Sequence, residues 1–233
     1  MGLSGVLLAL LSPRGSSSCC GRGSSGRPSS AAACLLVVLS GVLCLAHIGG
    51  VQGYLFEGSP TSFAQFPRWL PGGNGSLQFQ FLTSEPNGLL LYTDDGGSFE
   101  FFEVKLVEGS VRLRYNLGGG AQLLTAGRGL NDQQWHSVRV TRDYNRTRLE
   151  VDGILEVRIV SRALDHEFGS AGVNTPVWVG GLPDLVARQV GGRLTLQVVT
   201  LEPRFRGHIK GLTYITRDSI PRHQDIVSSQ VSA

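Results

Sequence analysis

Between Ser76 and Gly181 apolar and polar residues trade places at nearly every step, in runs too short for helices. Leu77, Phe79 and Phe81 alternate with Ser76, Gln78 and Gln80; Val111, Leu113 and Tyr115 alternate with Arg112, Arg114 and Asn116; Leu149 and Val151 alternate with Arg148 and Glu150. Successive side chains of an extended chain fall on opposite faces, so each run predicts a strand with one dry and one wet face. Turn-forming residues separate the runs at Pro86-Asn87-Gly88, Asp95-Gly96-Gly97, Gly118-Gly119-Gly120 and Asp152-Gly153. The last suits a two-residue hairpin, because both residues tolerate positive φ. Helical periodicity is nearly absent. Many short antiparallel strands, each buried on one side, predict an all-β fold of two packed sheets or a barrel.

Composition narrows the function. The net charge of +3 arises from 21 basic and 18 acidic residues, and Arg14, Arg22 and Arg27 all fall in the first fifty residues. Without those three the chain is formally neutral. A nucleic-acid partner held by phosphate neutralisation is therefore not expected. Cys19, Cys20, Cys34 and Cys44 also precede the strands, which excludes a disulfide framework or thiolate metal site for the domain itself.

Those first residues have their own logic. Ala31 to Ala46 is an apolar run with arginines and a Ser/Gly-rich stretch upstream, and His47 to Gly53 offers small residues for cleavage. The run is shorter than the roughly 18–20 residues of a membrane span, so residues 1–53 are expected to be a signal peptide, with no stable membrane insertion after its removal. The sequons Asn74-Gly75-Ser76 and Asn145-Arg146-Thr147 lie between strand-like runs, so Asn74 and Asn145 are candidate N-glycosylation sites of a secreted or cell-surface protein. The expected division is a leader over 1–53, a sandwich over 54–217 and a polar, pattern-free tail over 218–233 that reads as a frayed end or linker.

The strand phrases, Trp135-His136 after Asn131-Asp132, Val151-Asp152-Gly153, Val179-Gly180-Gly181-Leu182-Pro183 and Phe205-Arg206-Gly207-His208-Ile209 together resemble a laminin G, or LNS, domain from about Leu55 to Arg217. The opening FEGSPTSFAQFPRWL and the later LLLYTDDGGSFEFFEVKLVEGSVRLRYNLGGGAQLLT are most similar to the first such domain of α-neurexins, here of invertebrate type. The resemblance implies a jelly-roll sandwich of two curved antiparallel sheets, used in extracellular adhesion and synaptic organisation. The sequence departs from the receptor pattern by ending after one domain, without an EGF-like module, further repeats or a membrane span. A fragment and a secreted single-domain relative are both compatible with that.

The resemblance also implies a Ca²⁺ site on a sheet rim. The matching positions are the carboxylate of Glu100, where the family pattern usually has Asp, the carbonyl of Leu117, and the loop of Gly172, Val173 and Asn174. The residues supply a separate reason to single out Glu100: it shares parity with Phe102, Val104 and Leu106, so a charge begins a strand whose same-side residues are apolar. Such a carboxylate needs a cation, a hydrogen-bond donor or the solvent of the rim, and a rim Glu paired with an Arg satisfies the same requirement. Carboxylate and carbonyl oxygens are the ligands a hard cation prefers. Asp94 and Asp95 in the preceding turn could assist.

A second candidate surface is cationic. Arg112, Arg114, Arg139, Arg142 and Arg146 could grip a sulfated glycan such as heparan sulfate if they converge, since guanidinium forks match sulfate and carboxylate. Interleaved Glu103, Glu108, Asp143, Glu150 and Glu156 could instead neutralise them across strands. Enzymatic patterns are missing: His166-Glu167 lacks the second histidine of a zincin, no Gly-x-Ser-x-Gly elbow occurs, and the triple glycine opens no helix over a phosphate. His136 shares parity with Val138 and Val140, which suits a core or rim histidine held by hydrogen bonds. The expected function is recognition of an extracellular protein ligand through the sandwich rim; a glycan-binding module and a carrier with a small-molecule pocket between the sheets are the alternatives.

Overall fold

The computed structural model describes residues 53–96, 100–159, 168–169, 172–193, 203–216 and 220–229; the leader expected over 1–53 lies outside these, save Gly53. The described chain runs through β1 (Tyr54–Glu57), β2 (Ala64–Phe66), β3 (Asn74–Leu82), β4 (Gly88–Asp94), β5 (Phe101–Val107), β6 (Ser110–Asn116) and β7 (Gln122–Ala126). It continues through β8 (His136–Asp143), β9 (Arg146–Val151), β10 (Ile154–Ile159), β11 (Val177–Val179), α1 (Asp184–Arg193), β12 (Arg206–Ile215), β13 (Pro221–His223) and β14 (Ser228–Ser229).

Two antiparallel sheets face each other, as in a jelly-roll sandwich. The first has the order β1-β12-β3-β8-β9-β10, with β13 also on β12; the second has the order β14-β2-β11-β4-β5-β6-β7. The alternation places the expected residues inside: Leu77, Phe79, Phe81, Val111, Leu113, Tyr115, Leu149 and Val151 are all buried in one core. That core lies between the two sheets. Two cavities lined by described residues, of about 370 and 390 Å³, open on the outer face of the first sheet and around the β3–β4 turn.

Three features depart from the sequence reading. β4 and β5 are buried on both faces, not on one. The reason is a second apolar cluster of Leu89, Tyr92, Phe101, Trp178 and Leu182 on the outer face of the second sheet, against which Phe63 and Val186 and Ala187 of α1 pack. That helix is itself unforeseen, being ten residues long in a chain with little helical periodicity. The tail over 218–233 is not merely a frayed end: β13 pairs with β12 and β14 pairs with β2, so the two sheets each gain a strand from it.

Candidate functional site

One end of the sandwich gathers the segments that the rim hypothesis needs. β5 and β6 pair with Phe101 opposite Asn116 as the last pair of the ladder, and Glu100 and Leu117 follow directly beyond it. The Glu100 carbonyl accepts the Asp95 amide at 3.1 Å, while Thr175 and Asp94 exchange main-chain and side-chain hydrogen bonds, including Thr175 N to Asp94 O at 2.9 Å. Loop 172–175 therefore sits against the β4–β5 turn. A cleft lined by Tyr115, Leu117, Gly119, Gly120, Arg142 and Asn145 brings the β6–β7 and β8–β9 turns to the same end.

A cluster of aromatic rings supports this rim from below. Phe102 stacks on Tyr115 at 5.4 Å between centroids and meets Trp69 and Phe168 edge-on at 5.1 and 5.0 Å. Each ring pair adds geometric preference to its area burial, which fixes the loop bases.

The four candidate metal ligands then divide by role. Glu100 is half-buried and its Oε2 accepts the Gly169 amide at 2.8 Å, so a hydrogen-bond donor already answers part of the charge. Asn174 is fully buried, and its Nδ2 donates to the carbonyls of Trp69 at 3.1 Å and Phe168 at 3.3 Å. Its amide thus ties Asn174 to Phe168 and to the segment at Trp69 that leads into β3. Gly169 has φ +51°, and a Cβ there would lie 1.8 Å from Asn174 Oδ1, so the clamp needs glycine. Donor type fits a hard cation for the Glu100 carboxylate and the main-chain carbonyls of Leu117 and Gly172, whereas the Asn174 side chain is committed to structure. Among the described residues no group of three or more His, Cys, Asp or Glu side chains is arranged to hold a metal.

The neighbouring acids are also engaged. Asp94 Oδ1 accepts the Gly96 amide at 2.9 Å and Oδ2 accepts the Tyr92 hydroxyl at 3.1 Å. Burial first, and then the Asp94 charge, push the Tyr92 phenol far above its ordinary range, so it stays a neutral donor.

The five arginines are not brought together. Arg112 and Arg114 stand on the outer side of the second sheet; Arg114 lies 3.3 Å from the Glu103 carboxylate and 5.0 Å over the Phe101 ring, and Arg112 pairs with Glu108 at 3.8 Å. Arg139 is on the outer face of the first sheet, where its Nε and Nη2 donate to Gln78 Oε1 at 3.1 and 2.8 Å inside the 370 Å³ groove. Arg146 sits exposed at the β8–β9 turn. Arg142 corrects the surface expectation: at 1% exposure it faces the core like Val138 and Val140, and it donates to Thr147 Oγ1 and the Tyr144 carbonyl. Burial of the guanidinium lowers its pKa, an effect that nearby Tyr115 and Asp143 partly offset.

Asn74 and Asn145 are both exposed, and the Tyr144 amide donates to the Gly73 carbonyl, so the two sequons are neighbours at this end. At the other end His136 is held as its parity predicts, with Nδ1 at 2.7 Å from Asp152 Oδ2 and Nε2 at 2.9 Å from Asp132 Oδ1. No alternation pattern marks Trp69, Phe168 or Gly169, whose part in the rim comes from contacts across a hundred residues.

Two antiparallel sheets with loops gathered at one rim define a jelly-roll sandwich. The laminin G domain profile matches residues 81–216, and the chain belongs to that family. It is 45% identical to Neurexin 1 of Drosophila melanogaster over 186 residues, 77% of this chain and 10% of that protein. It is 38% identical to Neurexin-2 of Rattus norvegicus over 73% of this chain, again covering 10% of the relative. The chain thus spans about a tenth of the length of these curated relatives. Among solved structures, domains LG4-5 of the mouse laminin alpha1 chain share the fold with a TM-score of 0.60 and 23% identity, over 78% of this chain and 45% of that one. No helix among the described residues is long and apolar enough to cross a membrane.

Proposed function

We propose that this neurexin-like laminin G domain is an extracellular recognition module that binds a protein partner through the rim at Glu100, Leu117 and loop 172–175, with Ca²⁺ as part of that surface. The observation that carries the reading is the convergence of Glu100, the Leu117 edge, Gly169 and the 172–175 segment on one end of a rigid sandwich. Rigid strands with loops gathered at one end give a partner a preformed surface, which lowers the ordering cost of binding. Secretion behind a cleaved leader, N-glycans on Asn74 and Asn145, and an adhesive role at the cell surface or synapse belong to the same proposal, which the likeness to the neurexins supports.

Ca²⁺ would be held by the Glu100 carboxylate with main-chain carbonyls of Leu117 and Gly172, waters completing its shell. It would supply positive charge at the rim, against which a partner's acidic or carbonyl groups could dock. The chain's own residues do the positioning: Gly169 orients the Glu100 carboxylate, and Asn174 fixes the loop base. Calorimetry with CaCl₂ on the wild type and on Glu100→Gln tests this. A binding heat present in the first and lost in the second is expected, and equal, negligible heats in both would end the metal proposal. An ectodomain binding screen in Ca²⁺ and in chelator then tests the partner: a rim-directed ligand is expected, and none in either condition would overturn the recognition reading.

The sulfated-glycan alternative gains no convergence from the arginines, which lie on opposite sheet faces, at a turn and in the core. Weak retention on heparin at low salt is the expected consequence.

A further inference from the structure

Among the described residues β10 is the terminal strand of the first sheet, and all six of its residues are exposed. Edge strands present unpaired N–H and C=O groups, and proteins usually blunt them with charged side chains, Lys above all, with inward-pointing charges, Pro, a bulge, very short length or a covering segment. β10, with the sequence Ile154-Leu155-Glu156-Val157-Arg158-Ile159, has no Lys, Pro or bulge and runs to six residues; its protection is the pair Glu156 and Arg158, which share the face of Leu149 and Thr147 and are opposite in sign. Leu155, Val157 and Ile159 are 52, 46 and 52% exposed and share one face, since they pair with Glu150, Arg148 and Arg146 of β9. This alternation reads as a strand with a dry face, yet no element among the described residues covers it.

The main-chain geometry says which groups are open. Asp152 and Gly153 have φ of 49° and 82°, the signature of a two-residue type I′ turn, so Val151 and Ile154 close the hairpin as a hydrogen-bonded pair. Hydrogen bonding alternates along the strand, so Ile154, Glu156 and Arg158 turn their amides to β9 while Leu155, Val157 and Ile159 turn theirs away from it.

From this we infer that β10 is a self-pairing edge, and that its occupant is a second copy of this chain related by a two-fold axis through Val157. In that antiparallel register Val157 meets its own copy, Leu155 meets Ile159 and Glu156 meets Arg158. The open amides of Leu155, Val157 and Ile159 then form the hydrogen-bonded pairs, about six main-chain bonds in all. Glu156 and Arg158 fall at the non-hydrogen-bonded positions, where side chains approach most closely and opposite charges are favoured. Apolar residues match apolar ones on one face, and charge matches charge on the other. A shift by two residues places Glu156 opposite its own copy, or Arg158 opposite its own, which the like charges oppose. Arg158 Nη2 already donates to the Leu123 carbonyl at 3.3 Å, and its remaining donors leave it able to bind a carboxylate as well. The contact is isologous and closes at two copies, joining the two sheets edge to edge. It lies along a sheet edge built from β10 alone and does not rest on the rim proposal.

Sedimentation velocity on the protein as its expressing cells process it, over a concentration series, measures the association. A reversible dimer is expected. Glu156→Arg and Arg158→Glu each set like charges opposite one another and should weaken it at least about tenfold, and the double exchange should restore it. Val157→Pro removes an amide that faces away from β9, so it should abolish the dimer while circular dichroism shows an intact fold. A monomer at every concentration overturns the inference, as does a dimer indifferent to both the charge exchange and the proline.

Discussion

At the scale of single residues, His136 shows how a strand position acquires chemistry its pattern cannot announce. Burial disfavours the imidazolium, but the hydrogen bonds its ring N–H groups donate to Asp152 and Asp132 outweigh it and raise the His136 pKa above its ordinary 6.5. The Gln134 amide, and then His136, lower Asp132 below 3.8. A raised histidine contributes stability that is complete below pH 6.5 and is lost as pH rises through the folded value. The carboxylate works in the opposite sense, its share being complete above 3.8 and lost as pH falls through its lowered value. Urea midpoints should therefore decline on going from pH 6 to pH 8, and His136→Gln should flatten that decline. An unchanged slope in the variant would disprove the assignment. The sequence exposed half of this: parity with Val138 and Val140 placed the ring, while the two carboxylates come from a loop and a hairpin turn that only the folded chain sets beside it.

Strands were legible in their period and misleading in their environment. β3, β6 and β9 bury the residues that alternation selects, because each has a polar outer face. In β5 the same rule places Glu103 and Lys105 outward, yet both are buried at 2 and 4% exposure. They survive there by pairing: Lys105 Nζ lies 3.1 Å from Glu103 Oε1, and Arg114 Nε 3.3 Å from Oε2. Removing the shared carboxylate leaves two cations facing each other, so Glu103→Ala should cost about 3–5 kcal/mol in chemical denaturation, where an exposed pair would cost under about 1 kcal/mol. A loss below 1 kcal/mol would mean that water reaches this face. Arg142 fails the surface expectation for a related reason: its position on β8 points into the core, and Thr147, Tyr144 and the Tyr115 ring complete its surroundings.

For the molecule as a whole, the boundary of the domain is where contacts end, not where the pattern fades. Ile226 packs against the main core, and the Val227 amide donates to the Gln65 carbonyl at 2.8 Å before Ser228 and Ser229 pair with β2. A chain ending at residue 217 should lose about 1–2 kcal/mol, seen as a melting temperature lower by about 3–6 °C; equal melting temperatures would make the tail dispensable. What the sequence determined by itself was the class: strand period and turn residues predict an all-β sandwich, because these depend on neighbours along the chain, and the order of its phrases resembles the laminin G family. The tertiary structure alone decided which faces stay wet, which cations are buried, and which side chains hold the loops beside Glu100. Those properties depend on segments up to a hundred residues apart, whose meeting is set by packing and sheet register.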